Sequence, residues 1–465
     1  MQLTGPLFLF LFFPLSLLPL PFCPARYRKP VLSLLSIAWY VLANLGEPLA
    51  ILQLAAVVIS VAVLAALPDG EYSRLRCAAG ILIPLAALVV ARLAAEYGPS
   101  AYPYPYGLTM VTLAAISLSI DRYRCDAPDR DNPFTVAGYL LFFPTMTMGP
   151  ILRYKQYLYI TEHTSVSLSN CSHGARLYML GFVKRLAIAA VLLRTLEDIL
   201  SYGPERFSML ALFVTVVLAY LLFYFFVSGN TDMARGLMAI YGLQPPRAQG
   251  NLLSCSTPLR LLEGTMLSLS RYLDDYVVRP ITARVRGVAG KLLAITAMFV
   301  LTVLFYRTRL SMLLVALPML LIALATVRKR RWHAAPGHWY WRIPLTLFSC
   351  LCLSFFALCI IWERPITLFS YIVGAVQGTG INSFYFIYSS LPDGPYIALL
   401  AVVVAVYLPL QHFWPTIARH LRGRAYAAAM SVVTVLLMVG FVLTLVHFMP
   451  QFPQYADKLS EKLFM

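Results

Sequence analysis

Asp232 is the ionisable residue that most needs an explanation, because its neighbourhood is otherwise apolar. A carboxylate in such surroundings costs several kcal/mol unless it is paired or hydrated, so it marks a cavity or a packing link. The alternative is local: Asp232 could cap a short helix that starts after Gly229-Asn230. Asp275, beside Tyr276, poses the same question. Arg307 and Arg309 interrupt an apolar stretch that runs from 292 to 326. They form either a tight polar connection whose heads snorkel to an interface, or a pair of cationic donors for an anionic sugar or lipid phosphate. Of the seven histidines, His412 in Leu410-Gln411-His412-Phe413-Trp414 is the one set at depth. An imidazole there serves as a hydrogen-bonded packing group or as a base near neutral pH.

The remaining reactive side chains exclude more than they suggest. Eight cysteines are scattered, and Cys350, Cys352 and Cys359 fall inside an apolar run, where a thiol behaves as a small hydrophobe. Their spacing matches no zinc pattern, so no metal site is expected. No phosphate-binding glycine loop, dinucleotide fingerprint, HExxH pair or GxSxG elbow occurs, which removes the common chemistries of soluble enzymes.

The elements that must position these residues are helices in lipid. Hydrophobic residues make up 60% of the 465 positions and charged residues 12%, far more apolar than a soluble core requires. Apolar runs suited to crossing a bilayer fall near 7–22, 31–44, 48–67, 78–96, 106–120, 135–150, 174–197, 207–227, 233–243, 290–305, 310–326, 343–361, 366–378, 396–413 and 425–448. They lack the period-two alternation of a membrane barrel. The pieces at 233–243 and 366–378 are short and read as half-spans or re-entrant segments, which need protein or a wet cavity around them. The expected fold is an all-α polytopic membrane protein of about eleven transmembrane helices with re-entrant and interfacial helices. It is expected to form one domain over 1–465, with peripheral N-terminal helices in 1–100, a core in 101–390 and C-terminal helices in 391–465.

Charge placement orients this bundle. The run at 7–22 has no basic stretch before it and no small-residue cleavage site after it, so it reads as a retained first helix. Arg26, Arg28 and Lys29 follow it and put that loop in the cytoplasm. The net charge of +17 is concentrated at 122–130, 271–291, 328–331 and 419–424. Such loops are either topogenic, facing anionic lipid, or a docking face for an acidic partner. The lipid bilayer is the expected partner, and nucleic acid is not, because no reading module lies between the spans. The interval 244–291 is amphipathic: Leu261, Leu262, Met266, Leu269, Tyr272, Leu273 and Tyr276 recur at helical spacing beside Arg271, Asp274 and Asp275. This helix is either an interfacial anchor or the cap of an embedded cavity.

Five stretches in order then point to a family. They are Leu7-Phe8-Leu9-Phe10-Leu11-Phe12-Phe13-Pro14-Leu15; Ala114, Ile116 and Ser117 leading to Asp121-Arg122-Tyr123-Arg124; Phe142-Phe143-Pro144 leading to Gly149-Pro150-Ile151-Leu152-Arg153-Tyr154; Ser228-Gly229-Asn230-Thr231-Asp232-Met233-Ala234-Arg235-Gly236; and Ser268-Leu269-Ser270-Arg271-Tyr272-Leu273-Asp274-Asp275-Tyr276 with Pro280. Together they resemble the membrane-bound O-acyltransferases that modify exported bacterial polysaccharides, the group of alginate O-acetylation and teichoic acid D-alanylation. The resemblance implies tunnel or substrate contacts for Asn230, Asp232, Arg271, Asp275, Tyr276, Arg307 and Arg309. It implies a structural role for Gly149, Pro150 and Arg153.

The resemblance also implies a catalytic histidine, in a Trp-His-Gly string on a tunnel-lining helix, that takes the proton of an acceptor hydroxyl. In register this string falls on Leu304-Phe305-Tyr306-Arg307, with Trp362-Glu363-Arg364-Pro365 following as expected. Tyr306 stands in place of the histidine, and Met319 and Met266 replace two others. A phenol of pKa near 10 is a poor base at neutral pH. Two expectations follow. In the first, the chain is a membrane scaffold or docking subunit alongside other subunits of a polysaccharide synthase or acylation complex. In the second, it is an active O-acyltransferase that uses Tyr306 or His412 to move an acetyl-type group from a cytoplasmic thioester donor to a polysaccharide hydroxyl. Neither requires a bound cofactor, and both belong in the bacterial inner membrane.

Overall fold

The computed structural model of the chain describes residues 5–19, 22–67, 73–97, 104–124, 132–146, 149–163, 167–201, 203–204, 207–244, 267–306, 365–377 and 424–448, together with 351, 354 and 358. Among these residues there are helices and no strand. A π turn at Phe8–Phe12 leads into α1 (Phe13–Leu17), followed by α2 (Ala25–Ala43), α3 (Pro48–Ala66), α4 (Ser73–Tyr97), α5 (Leu108–Tyr123), α6 (Pro133–Leu140) and α7 (Tyr154–Glu162). Next come α8 (Leu168–Phe182), a π segment at Val183–Ala189, α9 (Ala190–Leu200) and α10 (Met209–Ile240). The last group is α11 (Leu267–Leu273), a π segment at Asp274–Val278, α12 (Arg279–Arg284), α13 (Gly287–Tyr306), α14 (Pro365–Gln377) and α15 (Arg424–Phe448).

Local signals set the ends of these helices. Pro48 opens α3, and Leu67, held extended before Pro68, closes it. Ser208 caps α10 by accepting the Ala211 N–H at 3.2 Å. The far end of α10 is a full Schellman closure: the Leu243 N–H donates to Met238 O, the Gly242 N–H donates to Ala239 O, and Gly242 takes a φ of 76°. Among the described residues, four helices, at Pro48–Ala66, Ser73–Ala95, Met209–Ile240 and Ala428–Val446, are long and apolar enough to cross a membrane. Their outer faces carry exposed Leu52, Ile59, Leu82, Val90, Leu436, Val439 and Leu443, which suits lipid and not water. This is an all-α membrane protein.

Two cores lie within the bundle. One joins α9 and the first part of α10 to α11, α13 and α14 through Leu196, Phe225, Leu269, Tyr272, Met298 and Tyr371. The other gathers α1 to α3 and α5 to α7 around the last turns of α10 through Phe8, Trp39, Phe143, Tyr157 and Tyr241. Helix α10 belongs to both, and α8 packs along it at a backbone crossing of glycines. A Cβ on Gly181 would meet Gly229 O at 2.5 Å, and one on Gly236 would meet Tyr178 N at the same distance. Close approach through small residues is how helices associate where no hydrophobic force separates them from lipid.

The structure corrects three expectations. Segments 207–227 and 233–243 are not a span and a half-span but one continuous 32-residue helix, α10. Gly229 is therefore a crossing point and not a break, and Asp232 is an interior residue and not a cap. The span expected at 135–150 is an eight-residue helix, α6, followed by a 3-10 turn at Phe143–Thr145, because Pro144 and Gly149-Pro150 cannot continue it. The interval 244–291 is no simple surface anchor in its described part, since Leu269, Tyr272, Leu273 and Tyr276 are all buried in the core. The short piece at 366–378 is the 13-residue α14, which at 1.5 Å per residue falls short of a bilayer. The expected spans at 310–326 and 396–413 lie outside the described residues, as does most of 343–361.

Candidate functional site

The family-like strings converge on two polar clusters. The first is built from three segments far apart in sequence. Gly149 packs where a Cβ would come within 2.7 Å of Pro144 O and Thr145 Cα and 3.0 Å of the Ala234 side chain, so only glycine permits the turn. That turn, with buried Pro150 after it, delivers Arg153 to the start of α7, where Gln156 Oε1 accepts the Arg153 N–H at 3.1 Å. The Arg153 guanidinium is ion-paired to Asp275, and Arg279 Nη1 reaches the other oxygen of the same carboxylate at 2.8 Å. Arg279 Nε also pairs with Asp274 at 3.1 Å.

Tyr276 completes this cluster. Its hydroxyl donates to Asp121 Oδ1 at 2.7 Å, and the guanidinium carbons of Arg153 and Arg124 sit 5.3 and 5.6 Å from its ring centroid, within cation-π range. Burial, and then the hydrogen bond and charge of Asp121, push the Tyr276 phenol well above its ordinary value, against the opposing pull of Arg153. Tyr276 is therefore a fixed donor and not a base. Arg153 and Arg279 thus pair with Asp275 and Asp274, and Arg124 Nη1 donates to Asp275 O at 3.4 Å. The cluster can lock α5, α7 and the α11–α12 segment to one another. Arg271 is exposed on α11 and the structure does not bring it into this cluster.

The second cluster lies at the crossing of α8 and α10. Lys184 Nζ donates to Asp232 Oδ2 at 2.5 Å and to Ser228 Oγ at 2.8 Å. Arg185 Nη1 donates to Asn230 Oδ1 at 2.7 Å, and its guanidinium lies 5.7 Å from the Phe226 ring. On the other side of the carboxylate, Arg235 Nη1 stands 3.8 Å from Asp232 Oδ1. The Lys184 and Asp232 side chains are only 2% and 14% exposed. Lys184 and Arg185 both reach α10 from the π segment at Val183–Ala189, and such widened turns occur often at functional sites. Asp232 is thus answered as a packing link, one carboxylate among three cations.

Sequence reasoning missed Lys184 and Arg185, although two adjacent cations inside the apolar run 174–197 were the signal that could have found them. Asp121 was read only as part of a string, and its partnership with Tyr276 required the fold. Tyr306 closes α13, about 30 Å along that helix from Gly287, and its side chain lies outside the described residues. Arg307, Arg309, Met319, Met266 and His412 also lie outside them. Among the described residues no group of three or more His, Cys, Asp or Glu side chains is placed to hold a metal ion.

Comparison with known proteins agrees with the strings. No family model matches the chain. It is 28% identical over 173 residues to a Pseudomonas aeruginosa protein named "Probable alginate O-acetylase AlgI", covering 37% of this chain and 33% of that one. The protein of the same name from Azotobacter vinelandii is 27% identical over 173 residues, covering 37% and 34%. The one from Pseudomonas putida is 30% identical over 140 residues, covering 30% and 28%. The matches span about a third of the length of these curated relatives. Within that span, this chain is similar to proteins named as probable alginate O-acetylases.

Proposed function

We propose that this chain is a multi-pass inner-membrane component of a bacterial machinery that O-acylates an exported polysaccharide, and that it serves there as a scaffold or docking subunit. The observation that carries the reading is a polar frame built from the family-like strings, beside a tyrosine where the resemblance expects the histidine. Arg153, Asp275, Tyr276 and Asp121 hold the family-like strings together, while residue 306 is a tyrosine. A phenol gives up its proton some three to four pH units too late to act as an ordinary base at neutral pH. The relatives' name, alginate O-acetylase, supports acyl transfer to a polysaccharide as the setting.

A second reading, an active acyltransferase, is favoured by that same name, since it describes the relatives as O-acetylases. One experiment separates the two. Polymer O-acylation is measured in cells that carry the wild-type chain, a deletion, Tyr306→Phe or His412→Ala, and vesicles containing the purified chain are given an acetyl thioester and the polymer. The scaffold reading expects acylation to fall on deletion, to persist in both variants, and to be absent in vesicles that hold the chain alone. Transfer by the purified chain that is lost in Tyr306→Phe or His412→Ala establishes the active reading instead.

A further inference from the structure

The crossing of α8 and α10 gathers cations beyond those that Asp232 answers. Gly174 and Gly236 bring the two backbones into contact: a Cβ on Gly174 would meet Gly236 O at 2.6 Å, and one on Gly236 would meet Gly174 O at 2.7 Å. Their chain neighbours His173 and Arg235 therefore stand beside the same contact, and Arg176 follows one turn along α8 from His173. The charges of Arg176 and Arg235 both act on the His173 ring, so the three side chains share one patch.

Arg235 is the underused member. Its side chain is 25% exposed, and its ion pair with Asp232 is long, 3.8 Å against the 2.5 Å at which Lys184 holds the other carboxylate oxygen. Its Nε is buried and meets no acceptor among the described residues. Arg176 Nη1 donates to Ser172 Oγ at 3.0 Å, and among the described residues no carboxylate is ion-paired to Arg176 or His173. Charge this far from water is costly without a counter-charge. The guanidinium fork matches the oxygens of a phosphoryl group, and a neutral imidazole adds one N–H donor.

Position says where such a group would come from. Lys29, in the first turns of α2, pairs with Glu162 at the end of α7 at 3.4 Å, and α8 begins soon after at Leu168. The basic run Arg26, Arg28 and Lys29 puts that end of the bundle in the cytoplasm. Arg235 lies little more than one turn before Ile240, the last residue of α10, about 8 Å along the helix axis. That is the level of lipid headgroups.

We infer that Arg235, Arg176 and His173 form a binding site for a phosphoryl anion at the cytoplasmic headgroup level, the Arg235 fork gripping it from α10 and Arg176 and His173 closing it from α8. The phosphoryl group belongs to an anionic phospholipid or to a soluble phosphate, which offer the site the same oxygens. The site does not depend on the chemistry at residue 306.

The full chain in a neutral maltoside detergent tests the site in two arms. One is native mass spectrometry in mixed micelles with phosphatidylglycerol or phosphatidylcholine, and the other is titration with inorganic phosphate at constant ionic strength, read as the thermal midpoint. Retention of one phosphatidylglycerol in preference to phosphatidylcholine identifies a lipid phosphate; saturable stabilisation by inorganic phosphate without that preference identifies a soluble one. In either arm binding should weaken about ten-fold in Arg235→Gln and about five-fold in Arg176→Gln. It should be unchanged in Arg74→Gln, which removes an exposed arginine from α4. Because Arg235→Gln disturbs a packed crossing, a measurement on the wild type stands beside it: phenylglyoxal modification of Arg176, read peptide by peptide, should slow about three-fold in the presence of the anion that binds. Absence of binding in both arms overturns the proposal, as does binding unchanged in both Arg235→Gln and Arg176→Gln. Equal weakening in Arg74→Gln and Arg235→Gln also overturns it, since the attraction would then be diffuse and not a site.

Discussion

Replacing Asp232 by leucine takes the carboxylate partner from the Lys184 ammonium, which is 2% exposed and keeps its 2.8 Å bond to Ser228 Oγ beside the charge of Arg185. An uncompensated buried charge of this kind costs about 3–5 kcal/mol. Replacing Lys184 by methionine is a smaller perturbation, because Asp232 is 14% exposed and keeps Arg235 at 3.8 Å. The expected loss there is about 1–3 kcal/mol, that of a charged group losing one strong partner. The double variant Lys184→Met/Asp232→Leu removes both charges and should be more stable than the sum of the singles by about 2–3 kcal/mol. Neutral hydrogen bonds between membrane helices couple by only about 0.6 kcal/mol on average, so a coupling above about 1.5 identifies an ion pair. Reversible unfolding in bicelles supplies the four free energies. Coupling below about 0.5 kcal/mol would refute the claim that Asp232 is held by Lys184.

Three further outcomes follow. Gly181→Ala should lower stability by about 1–3 kcal/mol because its Cβ has only 2.5 Å to Gly229 O; a thermal midpoint unchanged from wild type would show that the crossing can open without cost. Tyr276→Phe leaves Asp121 without its 2.7 Å donor and should cost about 1–3 kcal/mol, measured in the same unfolding assay. His173 sets a pH dependence: partial burial of its ring, then the charges of Arg176 and Arg235, hold the imidazole below its ordinary 6.5. As pH falls through 6.5 the unfolded chain takes a proton that the folded chain refuses, so this residue's contribution makes stability fall toward acid. His173→Gln should show a flatter acid-side slope, and an unchanged or steeper slope would contradict the assignment.

Much of the frame was legible because lipid leaves few options. Continuous apolar runs are helices, since no other open structure satisfies its backbone there, and α3, α4 and α15 appear close to where the hydropathy put them. Reading failed where a local signal had two physical meanings. Gly229-Asn230 looks like a helix break, yet in α10 the glycine admits α8 and the asparagine accepts from Arg185. The amphipathic stripe through Tyr272 and Tyr276 suits an interface as well as a core, and only the partners decide: Leu113 O for one hydroxyl and Asp121 for the other. Ion pairs across 48 residues in one case and 122 in another, Lys184 with Asp232 and Arg153 with Asp275, leave no periodic trace in the chain. What did leave a trace was the cost of the charges themselves, as Asp232 showed and as Lys184-Arg185 should have shown.

The placement of these pairs bears on what a preserved string means. Arg153, Asp275, Tyr276 and Asp121 tie α5 and α7 to the segment just before α13, while Tyr306 is the last residue of α13. Helix α13 is 20 residues long, about 30 Å from end to end, and its Met298 and Phe299 share a core with Tyr272 and Tyr276. The ionic cluster fixes the segment from which α13 starts. Selection for a correctly aimed α13 would keep the strings around Gly149, Arg153 and Asp275 whether residue 306 is a base or a contact for a partner. Those strings are thus evidence for the frame and not, by themselves, for the chemistry.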